Sequence, residues 1–407
     1  MNKKIAIVGG GIGGLVAGYE LSKKGYKVTI FEKEKDLGGL ISDFKIEGEN
    51  LEKFYHHIFK TDKEIIELIK ELGLENKLKW HKSLVSLFYN HVFYPFNRSI
   101  DLLKFRGLDL ISKLRLGLVY IWLKLDKNWQ KYKKITAIDW MKKWAGKKAY
   151  QVIWEPLIKG KFHHYSNKIS MAWLWTRIHT RGASKGKPAD AKGFGKATEV
   201  LGYLDGGFGQ ITQKLVKNIS KMGGKIILNN EIDNKKIKNL KKDFDLIIDT
   251  RPISGVEYIG AIVLVFSSEQ NLSKYYWHNI NDLSSPFVAF IQHTNLVDKS
   301  KYNNKHIYYL GTYVPQDHNY FKISDKEIEN EFLDYLKQIK PEFDKTKISE
   351  IKVFKSLYAQ HIVSTKYKVK KYKVSDNVYR MNFAQIYPQD RGINFAVKEA
   401  EKLVSSI

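Results

Sequence analysis

Residues 4–14 read Lys-Ile-Ala-Ile-Val-Gly-Gly-Gly-Ile-Gly-Gly, and residues 15–24 follow them directly with a helical pattern. An apolar run that ends in Gly-x-Gly-x-x-Gly at the start of a helix is typical of a dinucleotide site. Here Gly9 permits a tight turn, Gly11 lets the backbone approach a pyrophosphate, and Gly14 lets the helix pack close to the strand. The helix N-terminus adds amide donors and the positive end of its dipole. The segment predicts a strand, turn and helix that bind phosphate.

A carboxylate stands where such a site needs one. The second apolar run, residues 27–31, ends at Glu32, which lies 18 residues after Gly14. An acid at this place accepts both hydroxyls of an adenosine ribose that carries no phosphate. A glycine-rich turn in a sheet that binds no phosphate would leave Glu32 without a role. We therefore predict a bound dinucleotide.

A second glycine pair, Gly38-Gly39, comes six residues after Glu32. An acid followed at this distance by two glycines resembles the FAD-binding entry of the superfamily of flavin-containing amine oxidases, protoporphyrinogen oxidases and phytoene desaturases. In that superfamily the second pair passes close to the ribityl and pyrophosphate groups, and an arginine usually follows, where this chain has Leu40. The resemblance implies non-covalent FAD and an α/β fold: a Rossmann-like FAD-binding domain with a parallel sheet, and a substrate domain of helices and a mixed sheet.

The resemblance continues in two later segments. It implies that Ile232 meets the adenine and that the strand ending at Thr250 lies under the dinucleotide. It also implies that a helix starting at Gly392 aims its amides at the flavin pyrimidine, and that the ribityl contact comes from Asn382 or from backbone. The implied cofactor residues are Gly9, Gly11, Ile12, Gly13, Gly14, Glu32, Lys33, Gly38, Gly39, Leu40, Ile232, Thr250, Asn382, Arg391, Gly392 and Ile393.

The predicted domains are discontinuous. Residues 1–50, 200–252 and 355–407 are assigned to the FAD-binding domain, and residues 51–199 and 253–354 to the substrate domain. Within the substrate domain, residues 84–200 are expected to form a mainly helical insertion. The predicted strands of its sheet are residues 260–266, 287–293 and 305–314, and the predicted helix over residues 324–339 begins with a capping box of Ser324 and Glu327.

The predicted catalytic residues are ionisable groups set among aromatic rings. His57 lies in the segment that the resemblance places beside the flavin ring, and it is either a proton carrier or a hydrogen-bonded core histidine. Glu155, Lys161 and Arg177 stand near tryptophans, either as cavity residues or as one structural ion-pair network. Arg391 directly precedes the last glycine turn. We predict catalytic roles for His57, Glu155, Arg177 and Arg391, and no metal site, because no further ligands occur at usable spacing.

The composition restricts the function classes. The chain has 407 residues and no cysteine, which excludes disulfides and thiol chemistry. Its formal net charge is +26, but only eight of the 69 basic residues are arginines. Nucleic-acid-binding proteins favour arginine at base edges and phosphates. We therefore interpret the charge as lysine on solvated surfaces and expect no nucleic-acid partner.

Residues 108–125 are the most apolar stretch, but Lys113, Arg115 and Lys124 interrupt it, so it is too polar to span a membrane. A basic amphipathic helix of this kind is either ordinary core or a peripheral membrane contact that admits lipid-like substrates. The first residues run straight into a strand pattern without a signal peptide, which leads us to expect a cytoplasmic protein.

We predict an FAD-dependent oxidoreductase that moves a hydride equivalent from a carbon–nitrogen or carbon–carbon bond of a small or lipid-like substrate to the flavin. Two alternatives stay open. One is a redox-neutral flavoenzyme resembling UDP-galactopyranose mutase, which would need arginines such as Arg177 and Arg181 for a diphosphate. The other is a binding protein without catalysis that resembles the Rab GDP-dissociation inhibitors.

Overall fold

The computed structural model describes residues 3–184 and 199–407, with the side chains of the first range described as far as Thr180. The strands are β1 (Lys4–Val8), β2 (Lys27–Phe31), β3 (Asp43–Ile46), β4 (Glu49–Glu52), β5 (Ile58–Phe59), β6 (Leu78–Ser83), β7 (Val85–Tyr89), β8 (Val92–Pro95), β9 (Glu199–Leu204), β10 (Lys225–Ile227), β11 (Leu246–Asp249), β12 (Tyr258–Ser268), β13 (Trp277–Ile280), β14 (Ala289–Gln292), β15 (His306–Pro315), β16 (Ile348–His361), β17 (Lys373–Ser375) and β18 (Val378–Arg380). The α-helices are α1 (Ile12–Lys23), α2 (Lys63–Glu71), α3 (Ser99–Lys104), α4 (Leu110–Leu125), α5 (Ala137–Trp144), α6 (Lys147–Ala149), α7 (Glu155–Phe162), α8 (Met171–Ser184), α9 (Gly209–Lys221), α10 (Asn234–Asp243), α11 (Asp325–Ile339) and α12 (Ile393–Ser405).

The first layer is a six-stranded sheet in the order β10-β2-β1-β11-β18-β17. β1 pairs in parallel with β2 and β11, β18 extends the parallel sheet, and β17 closes the edge in the antiparallel sense. Successive residues of β1 point to opposite faces: Ile5 and Ile7 pack toward α1 and α12, whereas Ala6 and Val8 pack toward α10. Both faces are covered by helices, which explains why the strand is apolar without alternation.

The second layer is a seven-stranded mixed sheet in the order β16-β12-β15-β14-β13-β7-β8. The pair β13 and β7 is parallel, and the other neighbouring strands are antiparallel. The strand β12, which lies between β16 and β15, is buried along all 11 of its residues. Phe266 and its same-face neighbours pack under α11, while Val263 and Val265 face the other layer. The helices α4, α5, α7 and α8 enclose a separate aromatic core around Trp140 and Phe162.

The predicted fold class is confirmed: a parallel Rossmann-like sheet stands beside a mixed sheet with helices. The capping box of Ser324 and Glu327 is also confirmed, since each side chain accepts a hydrogen bond from the other residue's amide. The stretch expected to be mainly helical begins with β7 and β8, because its aromatic and β-branched residues pair with β13.

The domain division stays a prediction, but three of its boundaries fall inside strands, and the one between residues 50 and 51 cuts β4. The boundary between residues 354 and 355 cuts β16, which remains in the mixed sheet as far as His361. The boundary between residues 199 and 200 cuts β9, which joins β5 and β6 in a small three-stranded sheet. The lengths of these strands depend on their neighbours, which explains why composition alone did not locate them.

Candidate functional site

The turn between β1 and α1 contains two glycines, Gly9 and Gly14, that have no room for a side chain. Gly9 has a φ of +111°, and a Cβ there would overlap the Thr250 hydroxyl. A Cβ on Gly14 would overlap the carbonyl of Gly9, so the close approach of helix and strand depends on this glycine. Gly11 differs, because a Cβ at this position would meet no heavy atom within 4 Å. The backbone at Gly11 therefore faces open space.

The start of α1 faces this space. Gly11 is the N-cap residue of α1, and no described side chain caps the helix there. Ile12 and Gly13 form its first turn, and Gly13 lies against Met381 and the carbonyl of Ala396 in α12. The amides of the first turn thus retain their capacity to donate to a phosphate.

Glu32 lies at the carboxyl end of β2 and is buried. Its Oε2 accepts a hydrogen bond from the Gly10 amide at 2.6 Å, and its Oε1 accepts one from the Glu34 amide at 3.0 Å. The neighbouring Lys33 is exposed and pairs with Glu34 at 3.3 Å. The backbone thus fixes the orientation of the Glu32 carboxylate beside the glycine turn, and each oxygen keeps a lone pair for a ribose hydroxyl.

The second glycine pair lies against the first. The Gly38 amide donates to the Gly10 carbonyl at 2.9 Å, and a Cβ on Gly39 would lie 3.3 Å from the Gly11 Cα. Both residues have a positive φ, +101° and +59°, which favours glycine. Leu40 is half-buried in the short turn that follows. These residues fit a dinucleotide, because the two glycine turns lie in contact beside the Glu32 carboxylate and the backbone at Gly11 faces open space.

The segments that the resemblance assigned to the same site pack behind it. The Thr250 hydroxyl donates to the Val8 carbonyl at 2.8 Å. Asn382 donates to the Thr250 carbonyl at 3.1 Å and accepts from the Ala384 amide at 3.0 Å. Ile232 is buried against the end of β1, and its carbonyl accepts a hydrogen bond from Arg251 at 2.6 Å. In this structure these three residues join β1, β11 and the loop after β18.

A second helix N-terminus lies beside the first. Gly392 is the N-cap residue of α12, no described side chain caps that helix, and Ile393 is buried in its first turn. Because α12 packs against the start of α1, the positive ends of two helix dipoles meet at this edge of the sheet.

Arg391 and Asp390 connect this edge to the helical insertion. Asp390 pairs with Arg177 of α8 and lies 3.8 Å from the Lys161 Nζ of α7. The indole Nε1 of Trp173 donates to Asp390 at 3.2 Å. Burial alone would raise the pKa of Asp390, but the cations Lys161, Arg177 and Arg391 outweigh it and hold that pKa below its usual range. Asp390 is therefore ionised, and we name these residues the Asp390 cluster.

Tyrosines complete the wall of the cluster. Arg391 donates from Nη2 to the Tyr313 hydroxyl at 3.1 Å, and Tyr313 is hydrogen-bonded to Tyr55. Tyr55 lies over Gly311 of β15 and meets the Trp277 ring edge-on at a centroid distance of 5.0 Å. Burial raises the pKa of Tyr55 well above its ordinary value, and the Tyr313 hydroxyl acts in the same direction. Tyr55 is therefore a neutral hydroxyl donor.

The two adjacent histidines have different surroundings. His56 lies near Arg391, and burial together with that cation lowers the pKa of His56 to about 4. Its Nδ1 lies 2.6 Å from the Phe54 carbonyl, which only accepts, so the neutral ring donates from Nδ1 and keeps Nε2 as an acceptor. His57 lies 3.4 Å from the Tyr276 hydroxyl and packs edge-on against Phe59.

The structure brings Arg177, Lys161 and Arg391 together, but it places Glu155 elsewhere. Glu155 pairs with Lys159 one turn along α7 at 2.8 Å. Sequence reasoning missed Asp390, the carboxylate that joins the cluster, although it stands next to Arg391. It also missed Tyr55, Tyr313 and the position of His56, for which the sequence held no local signal. The side chain of Arg181 lies outside the described residues.

Two possible site types have no support among residues 3–184 and 199–407. The described part of the chain contains no group of three His, Asp or Glu placed to hold a metal ion. Its helices include none that is both long and apolar enough to cross a bilayer.

Residues 7–72 match the sequence model of the NAD(P)-binding Rossmann-like domain. Over 75 residues the chain is 32% identical to protoporphyrinogen oxidase 2 of Arabidopsis thaliana, an alignment that covers 18% of this chain and 15% of that protein. In eight of the curated relatives that it matches, the aligned segment covers between 9% and 16% of their length.

The solved structures that resemble it cover nearly the whole chain. An oxidoreductase from Methanosarcina mazei has a TM-score of 0.69 at 15% identity, with 99% of this chain and 100% of that chain covered. Reduced UDP-galactopyranose mutase has a TM-score of 0.69 at 12% identity, with 100% and 95% covered. The chain thus contains a Rossmann-like dinucleotide-binding domain within the fold of these proteins. The resemblance stated from the sequence motifs is confirmed: the family model matches the glycine-rich segment, and the solved structures share the fold.

Proposed function

We propose that this protein is an FAD-dependent oxidoreductase. The observation that carries the proposal is the meeting of three features at one edge of the six-stranded sheet. These are the Gly11 turn beside the Glu32 carboxylate, the uncapped start of α12, and the charged and aromatic wall of the Asp390 cluster. The Gly11 turn with Glu32 and the start of α12 suit a dinucleotide. The Asp390 cluster places polar groups beside the other end of that ligand.

The residues of the chain have separate tasks in this proposal. Glu32 would hold the adenosine ribose, and the amides of α1 at Gly11 and Ile12 would hold the pyrophosphate. FAD, when bound, would supply the acceptor for a hydride equivalent from a carbon–nitrogen or carbon–carbon bond, with oxygen or another acceptor as the final oxidant. The N-terminal amides of α12 would stabilise negative charge that develops next to Gly392. Tyr55 and Arg391 would orient the substrate from the opposite side.

The first experiment is the visible absorption spectrum of the purified protein, followed by acid release and identification of the chromophore. We expect FAD in near-equal amount to protein. Anaerobic bleaching of the flavin by members of a substrate panel would then show electron transfer from substrate. A colourless protein that takes up no added FAD would contradict the proposal and favour a binding protein without catalysis.

A redox-neutral mutase is the second candidate. It is favoured by the likeness to UDP-galactopyranose mutase and by the arginines Arg177 and Arg391 in one cluster. The flavin state distinguishes the two. Turnover that requires prior reduction with dithionite, and that leaves the flavin reduced, would identify a mutase. Bleaching of the oxidised flavin by substrate would identify an oxidoreductase.

We also propose that α4 rests on a membrane surface that contains anionic lipid. The helix exposes an apolar stripe of six side chains, in which Ile111 is 78% and Leu118 is 68% exposed. The positions share one side of an α-helix, and the stripe consists of Leu110, Ile111, Leu114, Leu118, Ile121 and Leu125. Exposed cations stand at both ends of α4, namely Lys104, Arg106, Lys124 and Lys127. An apolar face with basic ends suits the boundary between acyl chains and anionic headgroups.

Replacing Leu114 and Leu118 together by serine should reduce vesicle binding by at least about tenfold, because each buried leucine contributes about 1.5 to 3 kcal/mol. The measurement is co-sedimentation with vesicles made of equal parts phosphatidylcholine and phosphatidylglycerol. The control is Leu283→Ser with Val369→Ser, which removes two exposed apolar side chains elsewhere. Equal binding by both double variants, or no binding by the unmodified protein, would rule out this surface.

A further inference from the structure

We propose that the Asp390 cluster is an anion-binding subsite, so that the substrate of the proposed enzyme carries a carboxylate or a phosphate. This inference rests on the proposed function and gives its substrate a chemical class. Amines are the opposite choice within the superfamily that the sequence resembles, and the charges of this site disfavour them.

The charge balance is the first argument. Among the described residues the cluster sets three cations, Lys161, Arg177 and Arg391, against the single carboxylate of Asp390. His56 and His361 lie close to Arg391, and burial lowers the pKa of each to about 4, so neither carries charge at neutral pH. Asp390 pairs with Arg177, so no carboxylate among the described residues forms a salt bridge with Arg391. A cation away from bulk water is costly until an anion joins it.

The unused hydrogen-bonding capacity of Arg391 is the second argument. Its Nη2 donates to Tyr313, but its Nε is buried and has no hydrogen-bond partner among the described residues. A buried guanidinium donor without a partner is uncommon, because its desolvation is not offset. Guanidinium groups match the paired oxygens of carboxylate and phosphate, so an anion at this place would complete the bonding of Arg391.

The walls of the cluster hold the cations in place. The Lys161 Nζ lies 4.6 Å from the centroid of the Tyr313 ring, and the Arg177 Cζ lies 5.1 Å from that of Trp173. The Asp390 side chain is 25% exposed, so a ligand can reach the cluster. The rings beside these cations offer an apolar surface to the body of a ligand whose charged end meets the cations.

The position of the cluster relates the anion to the reacting atoms. Arg391 directly precedes Gly392, the N-cap residue of α12. An anion held by Arg391 is therefore anchored within one residue of the helix start that we assign to the flavin ring. The subsite would thus fix one end of the substrate while another part of it meets the flavin.

The test is calorimetric titration of the purified, FAD-loaded protein with three phenyl compounds: phenylacetate, phenyl phosphate and phenethylamine. We expect at least one anion to bind at least about tenfold more tightly than the amine. Tighter binding of phenylacetate would assign a carboxylate substrate, and tighter binding of phenyl phosphate a phosphate. Equal or tighter binding of the amine, or no binding of either anion at millimolar concentration, would overturn the proposal.

Substitutions that change anion affinity in opposite directions distinguish an anion-binding subsite from a structural ion pair. Arg391→Gln and Lys161→Gln should each weaken anion binding by about tenfold, the loss of one charge-assisted contact. Asp390→Asn removes the opposing charge and should tighten anion binding several-fold, a gain that damage to the fold would not produce. Lys159→Gln is the matched control, because Lys159 stands two residues from Lys161 on α7 and pairs with Glu155 outside the cluster. Unchanged anion affinity in Arg391→Gln and Lys161→Gln would refute the proposal.

The outcome is separable from that of the proposed function. FAD content is measured by acid release for every variant. A protein without FAD that still prefers the anions would refute the oxidoreductase and keep the subsite. A protein with full FAD content and no preference for the anions would refute the subsite and leave the proposed oxidoreductase standing. If Asp390→Asn fails to fold, the comparison of Arg391→Gln with Lys159→Gln still decides the question.

Discussion

Replacing Gly11 with valine is expected to yield a folded protein whose ratio of bound FAD to protein is lower by more than about tenfold. A Cβ on Gly11 points into open space, and its backbone angles, φ −68° and ψ 170°, are ordinary for an L-residue. The fold therefore tolerates the side chain, but two methyl groups would stand where the pyrophosphate must approach the α1 amides. The measurement is the ratio of acid-released FAD to protein, with a thermal melt to confirm folding.

Gly117→Val is the matched control for this substitution. A Cβ on Gly117 also meets no heavy atom within 4 Å, but the residue lies in the middle of α4, away from the glycine turns. We expect normal FAD content in this variant. Full FAD content in Gly11→Val as well would show that the open space beside Gly11 is not the cofactor path.

Replacing Glu52 with glutamine should raise stability at neutral and alkaline pH. Glu52 is 1% exposed, accepts hydrogen bonds from the Phe208 amide and the Tyr203 hydroxyl, and lies against no described cation. Burial raises the pKa of Glu52 from 4.5 to about 7. The native state therefore binds this proton more tightly than the unfolded chain, so the unfolding free energy falls as pH rises from about 4.5 to about 7. The shift corresponds to about 3 kcal/mol, which the glutamine variant should not lose.

The measurement is urea unfolding of both proteins at pH 5, 6, 7 and 8. Buried histidines such as His278 and His293, whose pKa values burial lowers to about 3, shift stability in the opposite direction, but they act equally in both proteins. The difference between variant and parent isolates Glu52 and should grow across this range. Glu49→Gln removes a carboxylate from the exposed start of the same strand and should give a flat difference. A flat difference for Glu52→Gln would show that Glu52 is ionised without cost.

The parts of the structure that the sequence predicted are local ones. The turn from Gly9 to Gly14 and the capping box at Ser324 each lie within a few residues, so their physical causes are visible in one window of sequence. The Glu32 carboxylate was predictable because it terminates a strand next to that turn. Its bond to the Gly10 amide follows from the parallel pairing of β1 and β2.

The parts that the sequence did not predict depend on distant contacts. Arg177 and Asp390 are 213 residues apart, and no local pattern pairs them. Whether His56 or His57 lies near Arg391 depends on the course of one extended segment, because adjacent side chains in such a segment point in opposite directions. Glu155 has the same charge as Asp390 and directly follows Trp154 in the sequence. The helix nevertheless turns it toward Lys159.

The order of strands in the six-stranded sheet has a consequence for biosynthesis. β1 and β2 are made within the first 31 residues, but β18 and α12, which complete the same sheet and its second helix terminus, end at residues 380 and 405. A ribosome that has translated three quarters of the message has therefore produced both glycine turns without the segment that encloses them. A dinucleotide bound as we propose would therefore meet its complete site only after translation passes Gly392, and until then the early strands expose unpaired edges that favour aggregation.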